Sequence, residues 1–268
     1  MQIKPNCPLE MMADFDCDDC PDQYSYVLVR DYMDAGITIL MECNGSKKTG
    51  KADKMIDLVH GDCMEYMKGL PDKAVVLAVV DPPYGINAET FNLRTNCHIK
   101  LKSSWVDVKP DKLFFEELQR ISVEQIIWGG NYFCHYLVEN NNWIVWYKNN
   151  DGVSFSMAEL AWCSIRKNIK VFKYRPMGKL NKIHPTQKPV ALYEWLLTNY
   201  AKPGDTILDT HLGSGSSDIA AYNLGFDFVG IEIDKGYYDA AVHRFESHKR
   251  QYRLFEPEQA KREEQMKL

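Results

Sequence analysis

Short apolar runs alternate with amphipathic stretches over residues 55–255, and this alternation predicts an α/β domain. The apolar runs are rich in β-branched and aromatic residues, which suit the strands of a buried sheet. The stretches between them carry apolar residues three and four positions apart, as one face of a helix does. Strands are predicted at 56–60, 74–80, 125–128, 143–147, 157–165, 206–209 and 226–233. Helices are predicted at 64–70, 111–121, 189–201, 216–224 and 237–253.

The chain before and after this region has a different composition. Residues 1–54 are predicted to form an amino-terminal extension with short strands at 24–30 and 36–43, and a flexible basic linker follows at 44–51. A C-x-x-C pair in this extension and two further cysteines could close a tetrahedral zinc site; the four are Cys7, Cys17, Cys20 and Cys43. Our interpretation assigns no metal, and buried free thiols are the alternative. Residues 256–268 read as a charged tail.

Charge and composition narrow the classes of function. The chain has 268 residues, 45% of them hydrophobic, which is enough to bury a substantial core. Its formal net charge is −5, so any contact with nucleic acid must come from a local basic patch. The sequence shows neither an apolar stretch long enough to span a membrane nor a signal peptide. We therefore expect a cytoplasmic protein without a membrane partner, whose cysteines are reduced or bound to metal instead of paired.

The strand at 74–80 ends in the tetrapeptide Asp81-Pro82-Pro83-Tyr84, which is the first candidate for chemistry. A buried parallel strand delivers the residue that follows it to the carboxyl edge of the sheet, where ligands bind in open α/β folds. The two prolines stiffen the turn and remove two N–H donors, so the turn presents acceptor oxygens. Acceptors beside an aromatic ring suit a planar group that bears an NH2, such as a nucleobase.

A second candidate follows the strand at 206–209 and reads Asp209-Thr210-His211-Leu212-Gly213-Ser214-Gly215, here called the glycine loop. A strand, a glycine loop and a helix, with an acid at the end of the next strand, form a layout typical of nucleotide cofactors. Glu232 or Asp234 could hold ribose hydroxyls. Asp209 would repel a pyrophosphate and attract an ammonium group, although it could instead cap the following helix.

These motifs together resemble the amino-methylating DNA methyltransferases, which form N6-methyladenine or N4-methylcytosine. The resemblance rests on the tetrapeptide, the glycine loop, His184-Pro185-Thr186-Gln187-Lys188-Pro189 and Gly230-Ile231-Glu232-Ile233-Asp234. It covers roughly residues 55–250, and the tetrapeptide precedes the glycine loop, as in the circularly permuted β group. The family implies a Rossmann-like α/β fold with a mixed seven-stranded sheet and S-adenosylmethionine (SAM) as cofactor. Compact members of this kind are often carried by phages and other mobile elements.

The resemblance implies a role for each residue of the tetrapeptide. Asp81 and the carbonyl of Pro82 would accept the two amino hydrogens of the target base, with Pro83 stiffening the turn. Tyr84 would stack on the flipped base. An aspartate at the first position is typical of adenine methylation, whereas serine is typical of the N4-cytosine enzymes. We therefore expect adenine-N6 methylation of DNA, with N4-cytosine methylation and a catalytically idle nucleic-acid-binding subunit as the alternatives.

The resemblance also implies the cofactor contacts. The methionine part of SAM would lie against Asp209, Gly213, Ser214 and Gly215, the ribose against Glu232, and the cofactor carboxylate against Lys188. Asp62 and Cys63 would contact the cofactor adenine, although a helix cap and a buried thiol explain them equally well. The family usually has phenylalanine at position 211, and we expect His211 to pack as that ring does, with a hydrogen bond to SAM as the alternative. Trp128-Gly129-Gly130-Asn131 resembles a motif near the target base, but could equally be a strand-end turn.

Double-stranded DNA is the expected partner, and basic residues in two segments would neutralise its phosphates. These residues are Arg94, Lys100 and Lys102 in a long loop at 85–109, and Lys173, Arg175, Lys179 and Lys182 in a basic run at 170–182. The sequence shows no sizeable recognition domain, so the site read in DNA should be short or the specificity relaxed. The sequence leaves open a homodimer, and whether the role is restriction–modification, phage protection or regulation.

Overall fold

The computed structural model of the protein describes residues 25–33, 36–44, 55–86, 107–150, 156–175, 182–184 and 186–254. The chain divides into two compact units, Met1–Asp53 and Lys54–Leu268. In the first unit, β1 (Ser25–Met33) and β2 (Gly36–Asn44) pair as antiparallel strands. The other parts of the predicted extension, including Cys7, Cys17 and Cys20, lie outside the described residues, as does the tail at 256–268. The zinc alternative is therefore still a prediction.

The second unit is built on one eight-stranded mixed sheet with the strand order β3-β10-β9-β4-β5-β7-β6-β8. Its strands are β3 (Ile56–His60), β4 (Val75–Val80), β5 (Ser122–Trp128), β6 (Trp143–Tyr147), β7 (Ala158–Cys163), β8 (Lys170–Lys173), β9 (Thr206–Asp209) and β10 (Asp227–Glu232). Five neighbouring strands from β3 to β5 are parallel, and β7 runs antiparallel to both β5 and β6. The α/β fold class is confirmed, but the predicted count of seven strands is wrong.

The additional strand is β8, which lies in the basic run at 170–182. It pairs in parallel with β6 at the edge of the sheet, from Ile144↔Lys170 to Tyr147↔Lys173. Val171 and Lys173 are exposed, while Phe172 is partly buried and its ring lies 5.4 Å from that of Trp195. An edge strand needs only one paired side and tolerates lysine, so four residues with two lysines carried too weak an apolar pattern to be predicted.

Helices cover both faces of the sheet. They are α1 (Cys63–Lys68), α2 (Lys112–Ile121), α3 (Val190–Tyr200), α4 (Ser216–Leu224) and α5 (Lys235–Leu254). Leu77 and Val79 of β4 belong to the core that contains α3 and α4, whereas Ala78 and Val80 belong to the core that contains α2. Because alternate residues of a strand point to opposite faces, β4 is buried on both sides, as its uninterrupted apolar sequence indicates.

The arrangement of the strands brings the candidate motifs to one edge of the sheet. The parallel strands β3, β10, β9, β4 and β5 all end at this edge, and β6 and β8 run in the same direction as β5. The antiparallel β7 therefore begins there. The tetrapeptide follows β4, the glycine loop follows β9 and Glu232 ends β10. None of the described helices has the length and apolar character that crossing a membrane requires.

Candidate active site

A cleft of about 500 Å³ opens at this edge of the sheet. Its walls come from segments that follow four parallel strands, from the first residues of β7 and from the segment before α3. The side chains that line it include the whole tetrapeptide and most of the predicted cofactor residues; the latter are Asp62, Cys63, Lys188, Gly213, Ser214 and Glu232. Residues that are distant in sequence are thus brought into one concave site, as expected for ligand binding.

The Asp81 carboxylate has hydrogen-bond donors on both of its oxygens. The Tyr84 hydroxyl donates to Oδ1 at 2.5 Å, and the Lys188 ammonium donates to Oδ2. Pro82 is buried beside it, whereas Asp81 and Tyr84 are partly exposed to the cleft. The carboxylate thus accepts hydrogen bonds at the cleft wall, and an exocyclic amine would use one such acceptor on Asp81.

The Tyr84 ring is held against two neighbours. It stacks on Tyr132, with ring centroids 5.1 Å apart and planes 14° apart, and it lies over Gly129. Gly129 has a φ of +68°, and a Cβ atom there would lie 2.2 Å from Cε1 of Tyr84. The segment Trp128-Gly129-Gly130-Asn131 is thus a strand-end turn that directly supports the tetrapeptide, because only glycine leaves room for this ring.

Lys188 lies at the centre of the charged groups. Its ammonium pairs with Asp81, lies 3.2 Å from Oε2 of Glu159 and donates to the Tyr84 hydroxyl at 3.2 Å. The side chain is only 3% exposed. Burial lowers the pKa of this lysine, but the Asp81 and Glu159 carboxylates raise it more, so the ammonium stays charged.

Glu159 is a cleft residue that the sequence analysis missed. It lies near the start of β7, where one carboxylate oxygen pairs with Lys148 and the other with Lys188. Burial raises the pKa of Glu159, but the two lysines lower it further, so the net shift is downward. The available signal was a single carboxylate within the apolar run 157–165, which we had interpreted only as a strand.

The glycine loop and β10 are tied together on the other side of the cleft. The backbone N–H of Gly213 donates to Oε2 of Glu232 at 2.8 Å, and the N–H of Asp234 donates to Oε1 at 2.9 Å. Burial raises the pKa of Glu232. Asp62 caps α1 by accepting from the N–H of Met64, at 2.7 Å. These contacts hold the loop, the acid and the start of α1 in fixed positions around the cleft.

Two predicted cofactor residues, Asp209 and Gly215, do not line the cleft. The buried Asp209 carboxylate accepts from the backbone N–H of His211 and from the Ser217 hydroxyl, so it joins the glycine loop to α4. Burial raises its pKa to about 7. Gly215 has a φ of +68°, and a Cβ atom there would lie 2.9 Å from a carboxylate oxygen of Asp218. Asp209 and Gly215 therefore shape the glycine loop from outside the cleft.

Cys63 and His211 line the cleft near Asp62. Burial, and next the Asp62 carboxylate, raise the pKa of the Cys63 thiol to about 12, so this thiol is protonated and unreactive. The His211 ring meets that of Phe114 edge to face at a centroid distance of 5.3 Å, and its Nδ1 lies 2.9 Å from the Thr210 hydroxyl. His211 thus packs as an aromatic ring, which is what we expected.

His211→Phe should make the protein less sensitive to acid. Burial lowers the pKa of His211 to about 4, so below pH 6.5 the unfolded chain binds a proton that the folded chain excludes. The free energy of unfolding therefore falls as the pH drops from about 6.5 to about 4, by up to about 3 kcal/mol from this group. Urea unfolding across this range should show a shallower fall for the phenylalanine variant. Equal slopes for the two proteins would contradict the assignment of a neutral, partly buried ring.

His184 provides the matched comparison for that measurement. Burial, and next the Lys188 charge, lower its pKa to about 4, and its ring lies edge to face on Tyr237 at 4.4 Å. Because His184 is retained in the variant, its contribution is common to both proteins. The raised pKa of Asp209 acts in the opposite direction, because the folded chain holds that proton between about pH 4 and pH 7. It also cancels in the difference between the two proteins.

The predicted DNA-binding residues are described only in part. Lys173 and Arg175 are exposed at the end of β8, and therefore lie at the same edge of the sheet as the cleft. Lys182 is partly buried. Four others lie outside the described residues; they are Arg94, Lys100, Lys102 and Lys179. Their role in DNA binding is still a prediction.

Comparison with known proteins identifies the family. Residues 114–243 match the N6/N4 methyltransferase family, which is described as DNA methylase. The chain is 30% identical over 249 residues to the type II methyltransferase M.HinfI of Haemophilus influenzae, covering 72% of this chain and 68% of that protein. It is 25% identical over 241 residues to the type II methyltransferase M.HpaI of Haemophilus parainfluenzae, covering 71% of this chain and 74% of that protein.

Solved structures agree with this assignment. The complex of M1.HpyAVI with SAM matches with a TM-score of 0.51 and 25% identity, covering 71% of this chain and 98% of that chain. The cytosine-N4-specific PvuII DNA methyltransferase shares the fold, with a TM-score of 0.51 and 13% identity over 72% of this chain and 86% of that chain. The chain therefore belongs to the N6/N4 family of DNA methylases and is a SAM-dependent DNA methyltransferase.

Proposed function

We propose that this chain transfers the methyl group of SAM to the N6 amino group of adenine in double-stranded DNA, and that it belongs to the permuted β group. The observation that carries the choice of adenine is Asp81, a carboxylate at the first position of the tetrapeptide that faces the cleft. Serine at this position is typical of the N4-cytosine enzymes of the family. A carboxylate is the stronger acceptor for an amino group that becomes positively charged during transfer.

In the proposed mechanism, the protein contributes mainly fixed acceptors. The lone pair of an exocyclic amine is delocalised into the base, so the nitrogen is a poor nucleophile. Asp81 and the Pro82 carbonyl would each accept a hydrogen bond from one of its two N–H groups and stabilise the positive charge that develops on nitrogen. The methylated nitrogen would then release one proton to water. When bound, SAM supplies an electrophilic methyl group on a positively charged sulfur. One preorganised interaction of this kind is worth roughly 3–4 kcal/mol.

The residues on the glycine-loop side fit a cofactor with a ribose and an adenine. Glu232 presents a carboxylate that suits ribose hydroxyls, and Gly213 has room for a ligand because a Cβ atom there would meet nothing closer than His184 at 3.7 Å. Asp62 and Cys63 would border the adenine. Asp209 and Gly215 would act indirectly, by fixing the loop that contains Gly213. Lys188 would reach the cofactor carboxylate after leaving Asp81.

The proposal includes the surroundings of the enzyme. Tyr84 would stack on the extruded adenine, and Lys173 and Arg175 would contact phosphates beside the cleft.

A cytoplasmic location follows from the need for DNA and SAM in the same compartment. Residues 55–255 would form the catalytic domain, and sedimentation of the purified chain would distinguish a monomer from a homodimer. The names of the type II relatives support a partnership with a restriction enzyme. The proposal also includes carriage on a phage or another mobile element, as for many compact members of the family.

The product nucleoside tests the choice of base. Purified protein is incubated with labelled SAM and unmethylated plasmid, and the DNA is digested to nucleosides and analysed by mass spectrometry. We expect labelled N6-methyl-2′-deoxyadenosine, and no labelled nucleoside when the protein is denatured by heat beforehand. N4-methylcytosine would replace the proposal with its nearest alternative. A folded protein that binds SAM but transfers no methyl group would favour the idle subunit.

A further inference from the structure

Four charged side chains form a chain of ion pairs, three of whose members line the cleft. In order they are Lys148, Glu159, Lys188 and Asp81, so cations and carboxylates alternate. Lys188 is the shared member, because its ammonium lies 3.2 Å from Oε2 of Glu159 and also pairs with Oδ2 of Asp81. The proposed reaction uses Asp81 and gives no role to Glu159.

The pairing of Lys188 with Asp81 conflicts with the proposed role of Asp81. Both Asp81 oxygens already have donors, namely Lys188 and the Tyr84 hydroxyl. A base amine that donates to Oδ2 would have to share that oxygen with the ammonium or replace it. An ammonium left in place would also repel the positive charge that develops on the amine nitrogen. Lys188 is nearly fully buried, so it needs anionic partners inside the cleft when it leaves. The cofactor carboxylate would be one of them, and a carboxylate of the protein that keeps hold of the ammonium would be the other.

Glu159 is placed to be that partner. Its β-strand position is fixed by pairing with Trp146 in β6, and Lys148 holds its other oxygen, Oε1. Lys148 is itself anchored, because its backbone N–H donates to the Met157 carbonyl at 2.8 Å. Oε2 therefore faces Lys188 at a distance that a rotation of the lysine side chain can shorten. After Lys188 leaves Asp81, Glu159 would still pair with both Lys148 and Lys188, so neither lysine would lack an anionic partner.

We propose that Glu159 is a positioning residue, which takes the Lys188 ammonium when Asp81 turns to the amino group of the target base. The inference rests on the proposed role of Asp81 as an acceptor for that amino group. Glu159 would thus act through Lys188 and would not touch the base or the cofactor.

A double-mutant cycle tests the inference on the full-length protein. Single-turnover methyl transfer is measured at saturating SAM and DNA for the wild type, Glu159→Gln, Lys188→Gln and the double variant. We expect Glu159→Gln to slow transfer about tenfold in the wild type and less than about twofold in the Lys188→Gln background, as for coupled residues in one network. Affinity for SAM, measured by calorimetry, should change less than about twofold for Glu159→Gln. Equal losses in both backgrounds, or no loss in either, would overturn the inference.

Glu194→Gln is the matched control. Glu194 is also partly buried and also accepts a hydrogen bond, from Asn223 at 2.7 Å, but it lies on α3 and does not line the cleft. Its variant should transfer methyl groups at the wild-type rate. If Glu159→Gln does not fold, a crystal structure of the wild type with S-adenosylhomocysteine and duplex DNA decides the question. Lys188 Nζ should then lie closer to Glu159 than to Asp81, and an unbroken pair with Asp81 would refute the inference.

The outcome is separable from that of the proposed function. The wild-type product nucleoside identifies the target base whatever the cycle shows. If N6-methyladenine forms and the cycle shows no coupling, the role of Glu159 alone is wrong. If N4-methylcytosine forms and the coupling is present, the choice of adenine alone is wrong.

Discussion

Asp81→Ala is expected to lower the rate of methyl transfer by about 10³-fold, because it removes the acceptor on which the proposed mechanism depends. Affinity for SAM should stay close to that of the wild type, since the Asp81 carboxylate pairs with Lys188 and Tyr84 and has no contact with Glu232 or Gly213. Single-turnover kinetics with excess enzyme and calorimetric titration with SAM measure the two quantities separately. A parallel fall in SAM affinity would show that Asp81 serves the cofactor instead of the base.

Asp72→Ala is the control for this variant. Asp72 lies before β4, at the opposite end of the strand from Asp81, and its exposed carboxylate pairs with Arg120. Removing it deletes one carboxylate and one ion pair at the surface, where such pairs contribute little to stability. Transfer by Asp72→Ala should match the wild type. A large loss of methyl transfer by Asp72→Ala would mean that the assay reports damage to the fold.

Gly129→Ala is expected to slow methyl transfer by roughly 10²-fold, because the added methyl group displaces the Tyr84 ring. The Cβ atom would lie 2.2 Å from Cε1 of Tyr84, and the backbone on which the ring rests cannot withdraw without breaking β5. A misplacement of about 1 Å in a positioning group costs a factor of this order. The measurement is again single-turnover transfer, accompanied by a thermal unfolding curve.

Gly225→Ala separates this steric effect from backbone strain. Gly225 ends α4 with a φ of +74°, close to the +68° of Gly129, but a Cβ atom there would meet nothing within 4 Å. Because alanine is strained in the left-handed conformation, this strain should lower the free energy of unfolding of each variant by about 1–2 kcal/mol. Only Gly129→Ala should lose activity. Similar rates for the two variants would show that the support of Tyr84 by Gly129 is unimportant.

Most of the fold could be predicted because its strands are apolar and its motifs are local. The run at 74–80 carries no charge, and the structure buries β4 on both faces. The placement of the tetrapeptide and the glycine loop at one edge followed from the parallel direction of their strands. β8 was missed because a short edge strand has no apolar pattern of its own. The family assignment was within reach for the same reason, since each motif is continuous in sequence.

The pairing of charges in the cleft could not be predicted, because it depends on contacts between distant segments. Lys188 and Asp81 are 107 residues apart in the chain. No local sequence pattern shows whether a lysine pairs with a carboxylate of the protein or binds a cofactor. For that reason, the sequence alone predicts Lys188 as a cofactor residue and indicates no role for Glu159. The packing of Tyr84 against Gly129 is similarly invisible until β4 and β5 are known to be neighbours.

The order of strands also separates the residues proposed for the cofactor from those proposed for the target base. The proposed cofactor residues Asp62, Gly213 and Glu232 follow or end β3, β9 and β10, on one half of the sheet. Asp81 and Gly129 follow β4 and β5, and Glu159 lies in β7, on the other half. Substitutions on one side can therefore accumulate while the other stays intact. Related enzymes could therefore keep the same methyl donor and change their target base through substitutions in only one half of the sheet.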